Sequence, residues 1–292
     1  MSDGYSWHLA AAAVAGIAFG YVLAKTHPAP ETAPATAPAL KRDFRVPSEK
    51  VCLVTGGSRG IGAAVCERLA ADGYKVAVNY RSNKEQADEV VKRIRSQGGI
   101  AVAVQGDVAN QQEVPQLFDM VSAQLGAVPT AVVNNAGLLG PLTGLTDDAT
   151  LGELGRVMGT NLYGVLHVLQ EVAKRMQPGG AVVNVSAGSA YTGQPLAYAM
   201  SKGALNSLTA GCVPELAGLG IRINTVSPGP VYTDMMGDFD QVARDQMAAA
   251  IPLARAGEPG EVAAGISWLL SDDASFVSGA NLRIAGGKPL EA

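Results

Sequence analysis

Hydrophobic and polar positions divide the 292-residue chain into three stretches of different character. From Leu9 to Ala24 no position is charged and most are apolar, with Trp7 and His8 on one side and Lys25 on the other. As a helix at 1.5 Å per residue this run spans about 24 Å. Tyr5 to Trp7 bring it close to the roughly twenty residues of a membrane span, with aromatic side chains at the interface. Residues 1–26 are therefore expected to form a single-pass membrane anchor; a removed targeting sequence and a packed helix are the alternatives. Residues 27–48 set Pro28, Pro30, Pro34 and Pro38 among Ala and Thr. Such a segment predicts an extended tether, because proline fixes φ and removes a donor.

Beyond Ser48 short apolar runs rich in Val and Ile alternate with stretches of helical spacing. Strands are predicted at Val51–Thr55, Lys75–Tyr80, Ile100–Gln105, Ala131–Asn134, Ala181–Ser186, Arg222–Val226 and Asn281–Ile284, with helices such as Ile61–Asp72, Glu85–Ser96 and Tyr198–Leu216 between them. Alternation of this kind implies an α/β fold, a doubly wound seven-stranded parallel sheet over residues 49–292 covered by helices on both faces. Ligands of such folds bind at the carboxyl ends of the strands.

Composition narrows the function classes. The chain is 48% hydrophobic and 16% charged with a net charge of −4, which excludes a wholly disordered chain and argues against nucleic acid as a partner. Cys52, Cys66 and Cys212 have no CxxC spacing and His8, His27 and His167 lie far apart, so no metal site is expected and the thiols read as buried and inert. Lys25, Lys41, Arg42, Arg45 and Lys50 follow the apolar run while Asp3 precedes it. That asymmetry puts the large domain on the cytoplasm-like face of a membrane. Gly16 and Gly20, extended by Ala12, allow another helix to approach within a membrane complex; an abundance of small residues is the plainer reading.

The chemistry begins directly after the first strand, at Thr55-Gly56-Gly57-Ser58-Arg59-Gly60-Ile61-Gly62, which leads into an apolar helix. Glycines there permit a tight turn and close approach of a pyrophosphate to the free N–H groups of the helix N-terminus. Tyr198 and Lys202, four apart on a helix, share a face. A phenol next to an ammonium is a proton donor whose anion is stabilised. Further marks follow in order: Asp107-Val108, Asn134-Asn135-Ala136-Gly137, Asn161, Ser186, and Pro228-Gly229 with Val231 and Thr233.

Together these residues, from about Lys50 to Gly287, resemble the short-chain dehydrogenase/reductase family, including its 3-oxoacyl-carrier-protein and carbonyl reductases. The resemblance implies hydride transfer between NADP(H) and a ketone or aldehyde, with 3-oxoacyl thioesters one such class. It also implies a homodimer or homotetramer formed through the helices of Asn161 and Tyr198. Tyr198 is then the general acid, Lys202 lowers its pKa and bonds the nicotinamide ribose, and Asn161 holds a relay water. Ser186 bonds the substrate oxygen, with Ser189 as the substitute. The family's strand usually ends in two serines, the second being catalytic, whereas this chain reads Ser186-Ala187-Gly188-Ser189. Gly56, Ser58, Arg59, Gly60, Ile61, Gly62, Asp107, Val108, Asn135, Ala136, Gly137, Pro228, Gly229, Val231 and Thr233 take the coenzyme. NADP(H) is favoured over NAD(H) because Val78-Asn79-Tyr80-Arg81-Ser82 carries no carboxylate where NAD-selective members have one, and Arg59 and Arg81 are placed to clamp a 2′-phosphate. The alternative function is a weakly active or non-catalytic accessory subunit of a membrane complex.

Overall fold

The computed structural model describes residues 50–142, 144–146, 148–236 and 241–289. The anchor and tether expected over residues 1–48 lie outside the described residues. Among those described, no helix is long and apolar enough to cross a membrane.

Seven parallel strands, β1 (Val51–Val54), β2 (Lys75–Tyr80), β3 (Ile100–Gln105), β4 (Ala131–Asn134), β5 (Ala181–Val185), β6 (Arg222–Pro228) and β7 (Asn281–Ile284), form one sheet in the order β3-β2-β1-β4-β5-β6-β7. The predicted doubly wound fold is therefore the observed one. Strand order reverses between β1 and β4, which leaves a crevice at their carboxyl ends where the flanking crossovers depart in opposite directions.

Helices α1 (Gly60–Ala71), α2 (Lys84–Ser96), α3 (Glu113–Leu125), α4 (Asp148–Met158), α5 (Gly164–Arg175), α6 (Ser189–Thr192), α7 (Leu196–Gly218), α8 (Gln241–Ala249) and α9 (Pro259–Leu270) complete the described elements. Side chains of a strand alternate between faces, and β1 feeds two cores accordingly. Cys52 and Val54 pack with Val65, Leu69, Val90, Ile94, Ile266 and Leu269 of α1, α2 and α9. Val51 and Leu53 pack with Leu117, Phe118, Val168 and Leu205 of α3, α5 and α7. The inner strands β1, β4 and β5 are buried at every position, whereas the outermost strand β7 alternates between exposed and half-buried. That difference explains why the inner strands read as continuous apolar runs.

Two helical details depart from the pattern. The helix expected from Tyr198 begins at Leu196, directly after Pro195, whose fixed φ of −64° leads the chain into the first turn. Between α4 and α5 the chain makes a π-helical turn, Gly159–Tyr163, which contains Asn161. Apolar spacing carries no sign of such a turn, because one inserted residue barely displaces the periodicity.

Candidate active site

The glycine turn is built around atoms that leave no room for a Cβ. Gly56 and Gly60 take φ values of +61° and +54°, open to glycine at little cost. A Cβ on Gly56 would stand 2.9 Å from Ala136 Cα, and one on Gly62 would stand 2.3 Å from the Gly56 carbonyl oxygen. Thr55 and Asn135 tie this turn to the end of β4. The Thr55 hydroxyl accepts from the N–H groups of Asn135 (3.0 Å) and Ala136 (3.1 Å), and Asn135 Nδ2 donates to the carbonyls of Thr55 and Gly56. Asn79 performs the same service from β2, accepting from Gly56 N at 3.3 Å and donating to Gly106 O at 3.0 Å.

These residues floor a cleft of about 510 Å³ at the carboxyl ends of β1, β2 and β4. Gly56, Ser58, Arg59, Gly60, Ile61, Gly62, Arg81, Asp107, Val108, Asn135, Ala136, Gly137 and Thr233 all line it. Arg59 and Arg81 are exposed on its wall. Asp107 is fixed by a turn in which its carboxylate accepts from Ala109 N (2.9 Å) and its own N–H donates to Glu113. The Val108 carbonyl meets His167 Nδ1 at 3.0 Å, so His167 serves packing between α5 and this loop. Thr233 closes the far side, its methyl 3.3 Å from where a Gly60 Cβ would stand. Pro228, Gly229 and Val231 do not line the cleft. They hold the strand end instead, through Gly188 N to Pro228 O (2.9 Å), Gly229 N to Ile284 O (2.9 Å) and the bridge of Val231 to Gly257.

Gly137 joins the cleft to Asn161 and to the Tyr198–Lys202 pair. A Cβ there would lie 3.5 Å from Asn161 Oδ1 and 3.6 Å from Lys202 Nζ. Lys202 is buried, donates to the Val185 carbonyl at 2.6 Å, and sits 5.6 Å from the centre of the Tyr198 ring. Burial pushes the Tyr198 phenol up to about 12 and the Lys202 ammonium down to about 8. Both shifts have one cause, desolvation of the charged form. The expected lowering of the Tyr198 pKa by Lys202 is thus not the dominant effect; the phenol is held in its protonated form. Its hydroxyl has no partner among the described residues.

Asn161 and Ser186 both bond within the protein. The Asn161 amide accepts from Leu138 N (2.7 Å) and donates to Leu138 O (2.9 Å) and Ser201 Oγ (2.9 Å). Both N–H groups are engaged, so only an acceptor lone pair remains for water. Ser186 is 2% exposed and its hydroxyl donates to the Lys202 backbone carbonyl at 3.2 Å.

A family model described as enoyl-(acyl carrier protein) reductase matches residues 56–288. An uncharacterised oxidoreductase of Escherichia coli, YgfF, is 42% identical over 82% of this chain and 99% of its own length. The 3-oxoacyl-[acyl-carrier-protein] reductase FabG of Staphylococcus epidermidis is 37% identical over 82% and 98%. The chain belongs to the short-chain dehydrogenase/reductase family. Among solved members, the short-chain dehydrogenase/reductase of Serratia marcescens superposes with a TM-score of 0.77 at 35% identity over 83% of this chain and 99% of that one. A blue fluorescent protein from a metagenomic library, solved with NADPH, gives 0.74 at 36% identity over 82% and 97%.

Membership in this family of oxidoreductases leaves some of the chain's own features to be read from its structure. Thr55 and Asn79 stand in the motifs named above, but their part in shaping the glycine turn comes only from the structure. A buried polar residue near the end of an otherwise apolar strand was the available signal for Asn79. Cys52 and Cys66 are buried as expected, and burial raises both thiols, whereas Cys212 is half-exposed. Among the described residues no group of side chains is arranged to hold a metal.

Proposed function

We propose that this short-chain dehydrogenase/reductase reduces a ketone or aldehyde with NADPH, Tyr198 delivering the proton. The observation that carries this reading is the convergence of Tyr198 and Lys202 beside Gly137, at the edge of a cleft floored by the glycine turn. The cleft suits a dinucleotide. Absent Cβ atoms at Gly56 and Gly62 keep the turn close to the helix N-terminus, where N–H groups and the helix dipole favour a pyrophosphate. Arg59 and Arg81 supply cations for a 2′-phosphate, and no carboxylate stands among Asn79 to Asn83 to repel it. The NADPH bound by the metagenomic relative supports the same coenzyme here.

When bound, the coenzyme supplies a hydride to the carbonyl carbon. Tyr198 gives its phenolic proton to the carbonyl oxygen, and solvent returns one to the phenolate. A pKa of about 12 keeps the phenol protonated at neutral pH, so the donor is present in nearly every molecule. Lys202, charged below about pH 8, offsets the phenolate that forms. Asn161 holds the Leu138 backbone, and with it the approach to Gly137. The S. epidermidis relative favours 3-oxoacyl thioesters as the substrate class.

The apolar run before Lys25 supports single-pass tethering, with the catalytic domain on the cytoplasm-like side. Tyr163 and Met200, 53% and 48% exposed, leave apolar surface on the π turn and α7 and support association of copies there. Full-length protein should oxidise NADPH in the presence of a carbonyl, and carbonate-washed membranes should retain it. Absence of NADPH-dependent turnover across ketones, aldehydes and 3-oxoacyl thioesters overturns the reductase reading; release into the carbonate supernatant overturns the anchor.

A further inference from the structure

We infer that the two serines after β5 have divided roles: Ser186 is a positioning residue that holds Lys202, and Ser189 is the catalytic hydroxyl that donates to the substrate oxygen. This rests on the reductase reading given above.

A carbonyl oxygen gaining negative charge needs a donor, and a serine has one proton to give. The Ser186 proton is already engaged. Its hydroxyl donates to the Lys202 carbonyl at 3.2 Å from a site that is 2% exposed, while Lys202 Nζ donates to the carbonyl of the preceding residue, Val185, at 2.6 Å. The two bonds run in opposite directions between the end of β5 and one residue of α7. They fix both the backbone and the ammonium of Lys202, and substrate binding to Ser186 would have to break one of them.

The remaining hydroxyls on the β5–α7 connection are few. Position 187 is alanine, and Tyr191 is 43% exposed, its hydroxyl accepting from Asn281 Nδ2 of β7 at 2.7 Å and so placed at the β7 side. Ser189 is half-buried; its carbonyl accepts from Gly193 N, and its hydroxyl has no hydrogen-bond partner among the described residues. It opens α6 at the carboxyl end of β5, the end of the sheet at which this fold binds ligands. The segment carrying it is anchored on both sides. Gly188 N donates to Pro228 O, and the Ala190 carbonyl lies 3.9 Å from where a Gly203 Cβ would stand, on the turn of α7 next to Lys202. Thr192, the other unpartnered hydroxyl, lies at the far end of α6.

The test compares Ser189→Ala, Ser186→Ala and Thr192→Ala in the full chain, with NADPH and acetoacetyl-coenzyme A, ethyl acetoacetate and benzaldehyde as carbonyls. Ser189→Ala should lower kcat/KM by about 10²-fold, the usual effect of one oxyanion donor, with NADPH binding by fluorescence unchanged. Ser186→Ala should lower activity only about fivefold, the worth of one neutral hydrogen bond, and shift the alkaline limb of the pH–rate profile because Lys202 is repositioned. Ser186→Cys, which keeps the shape and a weaker donor, should fall between it and wild type. Thr192→Ala should be silent. A loss in Ser186→Ala as large as that in Ser189→Ala, an unmoved pH limb, a silent Ser189→Ala or a severe Thr192→Ala each overturns the division. The reading beneath it has its own control: Tyr198→Phe retaining full turnover, or wild type turning over none of the carbonyls, removes the reductase assignment and the division with it.

Discussion

Lys202 Nζ lies 2.6 Å from the carbonyl oxygen of Val185, and this bond is the one hydrogen bond of its buried side chain within the described structure. A single neutral acceptor replaces little of the hydration that an ammonium loses on burial, which is why the Lys202 pKa falls to about 8. The charged form that would steady a phenolate at Tyr198 is therefore also the form that strains the fold.

That conflict gives a stability prediction with a definite sign. The folded-state pKa of Lys202 is about 8 against 10.5 for a lysine in water, so between these values the unfolded chain binds more protons and stability rises with pH. Compared with Lys202→Met, which cannot titrate, wild type should gain up to about 3 kcal/mol between pH 7 and pH 10.5. Urea titrations of both proteins across that range check it; parallel curves refute it.

Activity should move the other way. Reduction needs a protonated phenol and a charged lysine, so kcat should decline above about pH 8 as Lys202 loses its proton, well before Tyr198 ionises near 12. A plateau from pH 7 to pH 10 at saturating NADPH would contradict the assignment.

Tyr198→Phe keeps the ring and removes the proton. Turnover should fall at least about 10²-fold, the lower range for general acid catalysis, while NADPH fluorescence titrations stay near wild type.

Arg59→Ala should discriminate between coenzymes. Loss of a charge-assisted bond to a 2′-phosphate should weaken NADPH about tenfold or more and leave NADH alone. Equal weakening of both would instead assign Arg59 to the common pyrophosphate region.

Gly62→Ala tests the cradle directly. The added Cβ would meet Gly56 O at 2.3 Å and Asn135 Nδ2 at 2.5 Å, backbone and a fully engaged amide that have little room to move. A loss of about 3 kcal/mol is expected from overpacking of this severity, together with loss of NADPH binding, measured by thermal denaturation with and without coenzyme.

The sequence by itself determined the sheet and the turn that serves it. Four strands run over the predicted residues, at Lys75–Tyr80, Ile100–Gln105, Ala131–Asn134 and Asn281–Ile284, because a strand's alternation or continuous apolarity is a local property bounded by turn residues. Gly56, Gly60 and Gly62 were legible for the same reason: a turn without side chains is written in consecutive positions. Which polar side chains are engaged within the protein was not. Ser186 is engaged by Lys202, sixteen residues away, and Asn161 by Leu138 and Ser201, twenty-three and forty residues away. Neighbours that distant have no trace in local spacing. The same holds for the titration of Tyr198 and Lys202. Spacing put Tyr198 and Lys202 on one helical face, but packing around α7 decided how much water each lost, and desolvation rather than proximity set their pKa values.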